Sequence, residues 1–144
     1  MEQETIKKRM HEGLQACYHD ECPRHEHCVR WLGRNEVYQE SLVQICISMV
    51  NPKIAKADCP MYCHDEKVPV AYGFIRLLDQ LPRKMGIDFM KWLTEVSNRT
   101  YAYEQRNGTR PIPPRQQQQI TDYLRSQGWE QPIDFDRYGE DYDW

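Results

Sequence analysis

Cys17-Tyr18-His19-Asp20-Glu21-Cys22-Pro23-Arg24-His25-Glu26-His27-Cys28 sets three cysteines within twelve residues, spaced C-x4-C-x5-C. Downstream, Asp58-Cys59-Pro60-Met61-Tyr62-Cys63-His64-Asp65 adds a C-x3-C pair in a polar, turn-like stretch. Zinc and iron–sulfur centres take thiolates or imidazoles at tetrahedral positions. Two ligand clusters on separate segments supply that geometry and close the loop between them. The preferred set is Cys17, Cys22, Cys28 and Cys59. Cys63 and His64 are substitute ligands, as are His19, His25 and His27. The spacing is not the C-x2-C knuckle of common zinc fingers, and the ordinary alternative is a set of reduced, free thiols. Against it, Cys17, Cys22 and Cys28 stand among polar residues, whereas buried structural cysteines sit in apolar runs. Cys46, within Ile45-Cys46-Ile47, fits that buried role. Zinc is the preferred metal, and the Cys-Pro steps keep an iron–sulfur cluster as the alternative. A four-thiolate zinc site has no open position, so it would be structural.

Around this cluster the chain has 144 residues, the size of one domain, with nine Tyr and four Trp for a core. One domain over 1–144 is expected, divided into a cysteine-rich half, 1–81, and a second half, 82–144. Net charge is −3 but unevenly spread. Residues 82–129 carry eight Lys/Arg against four Asp/Glu, and residues 130–144 carry one against six. The start, Met1-Glu-Gln-Glu-Thr-Ile-Lys-Lys-Arg, lacks the apolar run of a secretory signal. No stretch reaches the roughly 20 apolar residues of a membrane span. A cytoplasmic protein is expected, where thiols stay reduced and six cysteines are not disulfides.

Hydrophobic spacing predicts the elements. Ile6, Met10 and Leu14 form a thin helical stripe. Pro23 opens a helix running to Leu32, with Gly33 near its end. Residues 36–50 suit a helix through Val37, Tyr38, Leu42 and Ile45, or a strand over 42–50. The β-branched residues and the stop at Asn51-Pro52 favour the strand. Val68 to Leu81 has helical spacing. A clearer helix follows Pro82, with Met85, Phe89, Trp92, Leu93 and Val96 on one face. Asn107-Gly108 predicts a hairpin across 99–115, since both central positions of a type I′ turn need positive φ. Pro113-Pro114 opens a last helix, closed by Gly128. The tail, Phe135 to Trp144, alternates aromatics with acids and is expected to dock its aromatics on the core. Asp134, Asp136, Glu140, Asp141 and Asp143 lack the period of a calcium loop and read as a solvated acidic run. The fold class is α+β.

Arg99, Arg106, Arg110 and Arg115, interleaved with Tyr101 and Tyr103, form the alternative functional group. Such a set contacts phosphates and stacks bases in nucleic-acid binders. The excess charge is small, and a solvated surface is the ordinary reading. No phosphate-binding glycine loop is present, nothing orients a Cys–His nucleophile pair, and no small-molecule substrate is evident.

The chain resembles an uncharacterised family of small cytosolic proteins from gut Bacteroidales, a domain of unknown function. The resemblance rests on five blocks in order. They are Cys17 with Cys22-Pro23 and Cys28-x-Arg30; Asn51-Pro52 with Cys59-Pro60; Gly73-Phe74 through Leu81-Pro82; Arg106-x-Gly108-x-Arg110 leading to Pro114-x-x-Gln117-x-x-Ile120; and Phe135-Asp-x-Tyr138-x-Glu140-x-Tyr142-x-Trp144. It implies that Cys17, Cys22, Cys28 and Cys59 belong together, with Cys46 and Cys63 outside the pattern. It implies no activity. The expectation is a non-enzymatic binding or regulatory module with a structural zinc, its partner a protein or nucleic acid.

Overall fold

The computed structural model describes residues 3–36 and 42–143, which fall into two compact units. The first comprises residues 1–67 with 142–144, the second residues 68–141. Helices accompany one two-stranded antiparallel sheet, an α+β arrangement. Among the described residues no helix is long and apolar enough to cross a membrane.

In the first unit, α1 (Gln3–His11) buries Ile6 and Met10 one turn apart. They pack with Ala16, Val29, Cys63 and Tyr142. The helix lies so close to Gly33 that a Cβ there would sit 2.5 Å from the Ile6 side chain. The helix expected from Pro23 to Leu32 is broken. A 3-10 turn occupies His25–His27, Cys28 is extended, and α2 covers only Val29–Leu32. Tertiary pairing breaks it: Cys28 bridges antiparallel to His64, and the Val29 amide donates to the Cys63 carbonyl at 2.8 Å.

The strand expected over 42–50 does not form. One parallel bridge joins Cys46 to Ala16, and a strand needs a partner along its length. Ile47 is buried, whereas Leu42, Val43, Ile45 and Val50 are exposed. Cys46 is exposed as well, against the expectation that it is a buried hydrophobe. Val37 and Tyr38, which opened the helical alternative, lie outside the described residues.

In the second unit, β1 (Val68–Tyr72) replaces the first half of the helix expected over 68–81. Gly73, at φ +75°, turns the chain, and α3 (Ile75–Gln80) follows. β2 (Arg137–Asp141) pairs antiparallel with β1, Val68 opposite Asp141 and Tyr72 opposite Arg137. The acidic tail is therefore not simply solvated. Asp141 is buried, and the Asp136 carboxylate accepts from the Ile75 and Arg76 amides at the start of α3. Phe135 joins this unit's core, and Tyr142 is buried in the first unit.

α4 (Arg83–Val96) buries Phe89 and Leu93, with Met85 and Trp92 partly covered. The hairpin over 99–115 is absent, and α5 (Arg99–Asn107) stands in its place. Asn98 caps it, accepting from the Tyr101 amide at 2.9 Å. Gly108, at φ +82°, ends it, and the Thr109 and Gly108 amides donate back to the Glu104 and Gln105 carbonyls. Asn-Gly thus closes a helix by the Schellman pattern instead of turning a hairpin. α6 (Pro114–Ser126) starts on its proline as expected. Phe74, Leu77, Phe89, Leu93, Ile112 and Leu124 form the centre of the core.

Candidate functional site

Two segments of the first unit come together around a small cavity: the stretch from Cys17 to Trp31, and the turn region 55–62. Its lining includes Cys17, Cys22, Cys28 and Cys59, all four preferred cysteines. Local hydrogen bonding explains the approach. The Cys17 amide donates to the Arg30 carbonyl at 3.0 Å, which returns the chain beside α2. The Cys22 amide donates to the His19 carbonyl, and that of His25 to the Cys22 carbonyl, winding the cysteine loop into consecutive turns. In the other segment Asn51 accepts from the Lys53 amide, Ala55 adopts φ +60°, and the Cys59 amide donates to the Lys56 carbonyl. A non-glycine residue at positive φ costs about 1–2 kcal/mol. The chain carries that strain at a residue lining the cavity.

Two arginines clamp the segments. Arg24 donates to the Ala57 carbonyl at 2.7 Å and lies 3.3 Å above the Tyr62 ring. Arg30 donates through Nε to the Met61 carbonyl at 2.9 Å, and through Nη1 to the Gln15 carbonyl and side chain. Arg30 is only 8% exposed and lines the cavity. Each of these acceptors is neutral, so a guanidinium is buried beside four thiols without a carboxylate partner among the described residues. A buried cation in that position calls for nearby negative charge.

The space enclosed is about 20 Å³, room for one water-sized body. Trp31, Ile47 and Tyr62 supply much of its apolar wall. Burial pushes the Cys17 thiol above its ordinary range, a hydrogen bond from the His19 backbone opposes this, and the charges of Cys28, Cys22 and Cys59 raise it further. Cys17 thus lies within electrostatic reach of the other three. Among the described residues no group of three or more His, Cys, Asp or Glu is placed to hold a metal ion. The cysteines share a wall without forming ready-made ligation geometry.

The family model described as a family of unknown function, DUF6078, matches residues 1–144. The chain belongs to DUF6078. No curated protein and no solved structure matches it.

The substitute ligands are mostly elsewhere in this DUF6078 chain. His25 lines the cavity, with Nδ1 2.6 Å from the Cys22 carbonyl. Cys63 is buried in the Ile6–Met10 cluster. His64 accepts from the Glu66 amide and stacks on His27, whose Nδ1 is 3.3 Å from Asp65. His19 meets the Ser48 carbonyl. The first block of the family resemblance includes Arg30, but its burial escaped sequence reasoning because an arginine in a short helix carries no mark of being buried.

The arginines of the nucleic-acid alternative lie in the second unit. Arg110 stacks at 3.6 Å on Tyr101 and pairs with Glu104 at 2.7 Å. Arg99 and Arg106 sit over Tyr103 at 5.6 and 4.6 Å. Arg115 is exposed in the first turn of α6. These contacts engage both tyrosine rings internally, and Glu104 neutralises Arg110, which leaves a weak surface for stacking bases.

Proposed function

We propose that this DUF6078 chain is a non-enzymatic binding module whose first unit is held together by one zinc ion on Cys17, Cys22, Cys28 and Cys59. The observation that carries the reading is that these four cysteines, from two segments, line one small cavity together with the buried Arg30, which has no carboxylate partner among the described residues. Four thiolates around Zn²⁺ carry a net charge of −2, which supplies the counter-charge Arg30 otherwise lacks. Ligation requires the four thiols to turn toward a common point, since among the described residues no three ligating groups are placed together.

A cavity of about 20 Å³ suits a single ion better than a cluster, which adds several iron and sulfide atoms. Tetrahedral Zn–S bonds of about 2.3 Å fill every coordination position. The ion then contributes folding energy and no Lewis-acid chemistry. A reducing compartment keeps the thiols available.

Metal analysis of anaerobically purified full chain tests the reading, with Cys22→Ser and Cys46→Ser beside it. One zinc per chain is expected, lost in Cys22→Ser and kept in Cys46→Ser. Iron with visible charge-transfer absorption would replace zinc by a cluster. Absence of any metal, with all the thiols reactive after mild unfolding, would end the reading.

A further inference from the structure

The second unit carries a groove that its own core does not use. It lies along the outer face of α4, between Leu78 of α3 and Arg99 and Tyr103 of α5. Its volume is about 780 Å³, and it is open to solvent along one side. From Arg83 to Thr94 the lining residues of α4 follow one face of the helix, a run of about 16 Å at 1.5 Å per residue.

The chemistry is two-part. Leu78, Ile87 and Met90 give an apolar floor, and Ile87 is 58% exposed. The hydroxyl of Thr94 donates to the Met90 carbonyl, so it makes no demand on an occupant. Around the floor stand Arg83, Lys91 and Arg99, against Glu95 alone. Among the described residues none of these three cations is in a salt bridge.

A second observation concerns Gly86. It lies inside α4, where glycine is unfavourable relative to alanine. A Cβ built there would meet only Leu78, at an ordinary 3.9 Å. Among the described residues no contact demands a glycine there. What its missing side chain does is deepen the groove between Arg83 and Ile87.

We infer that this groove binds an acidic amphipathic helix of a partner protein. About three turns of helix match the length of the α4 face. Apolar residues at i, i+3 or i+4, and i+7 would enter over Ile87, Met90 and Gly86, with flanking Asp or Glu meeting Arg83, Lys91 and Arg99. The open side suits a helix with one wet face and leaves an acyl chain poorly enclosed. Three cations around an apolar floor are a poor match for a nucleic-acid backbone. The inference rests on the binding-module part of the function proposed above and not on its metal.

Displayed random peptides of about 16 residues, selected on the immobilised full chain, test it. The best peptide is then titrated by fluorescence anisotropy. Enrichment of helical-period apolar residues flanked by Asp or Glu is expected. Affinity should fall by about tenfold or more in Ile87→Asp and in the pair Lys91→Glu with Arg99→Glu, and should fall with added salt. Gly86→Leu, a helix-favouring change that fills the groove, should keep the melting transition and lose the peptide. Basic or aperiodic peptides, no enrichment, or full binding by Gly86→Leu would overturn the inference. So would binding to phosphatidylglycerol vesicles in place of any peptide. Zinc content should be unchanged in every groove variant. A chain that binds no metal but still binds the peptide leaves this inference standing, and the reverse result leaves the metal.

Discussion

Replacing Gly73 by alanine should destabilise the second unit through two linked effects. The residue sits at φ +75°, where an L side chain costs about 1–2 kcal/mol. The new Cβ would also lie 2.6 Å from Oδ2 of Asp136 and 3.3 Å from its Cγ. That carboxylate cannot simply swing away. Its Oδ2 accepts from the Ile75 amide at 2.8 Å and its Oδ1 from the Arg76 amide at 3.0 Å. It thereby caps α3, whose own N-cap residue, Phe74, offers no side-chain acceptor. Losing such a cap costs about 1–2 kcal/mol, the more so because a carboxylate there opposes the helix dipole favourably. Gly73→Ala should therefore cost about 2–3 kcal/mol, and Asp136→Ala about 1–2 kcal/mol. The double variant already lacks the carboxylate that clashes, so it should cost little more than Gly73→Ala alone, a coupling of about 1 kcal/mol or more. Urea unfolding followed by circular dichroism measures all three. Strict additivity, or a Gly73→Ala cost below about 0.5 kcal/mol, would refute the linkage.

Three further outcomes follow from the packing and the cavity. Phe89→Ala should cost about 3–5 kcal/mol in the same assay, because the buried ring meets Phe74, Trp92 and Tyr123. Gly86→Ala should stabilise the chain by about 0.5–1 kcal/mol, since its Cβ meets nothing closer than 3.9 Å and alanine suits a helix interior. Arg30→Met should weaken zinc retention by about tenfold or more in competition with a chromophoric chelator, and Arg30→Lys, which keeps the charge, should recover part of it.

Elements with a long apolar period were legible before any coordinates. The α4 stripe from Met85 to Val96 and the proline start of α6 fall where spacing puts them. What was not legible turns on signals with two physical uses. Asn-Gly suits a type I′ turn and also a left-handed helix end, and the Asn98 cap with the amide bonds at Gly108 and Thr109 decides for the helix. The apolar run 68–81 has a helical period, yet Gly73 at positive φ divides it so that β1 can pair with a distant acidic strand. The alternation over 42–50 predicts a strand, but a strand also needs a neighbour along its length, and among the described residues only Ala16 supplies one. At the candidate site, Cys17, Cys22, Cys28 and Cys59 line one cavity, yet no three ligating groups are placed together among the described residues. The residues alone favour Cys59 and keep Cys63 as a substitute, and the family resemblance sets Cys63 outside the pattern; Cys59 lines the cavity and Cys63 lies in the Ile6–Met10 cluster. The burial of Arg30 depends on long-range bonds to Gln15 and Met61, which no local pattern reveals.

X-ray absorption at the zinc K-edge, on anaerobically purified and zinc-loaded full chain, is the most direct test of the metal proposed here. A single shell of four sulfur atoms at about 2.3 Å is expected. A shell of nitrogen or oxygen at about 2.0–2.1 Å, or a chain that retains no zinc, would contradict the four-cysteine site.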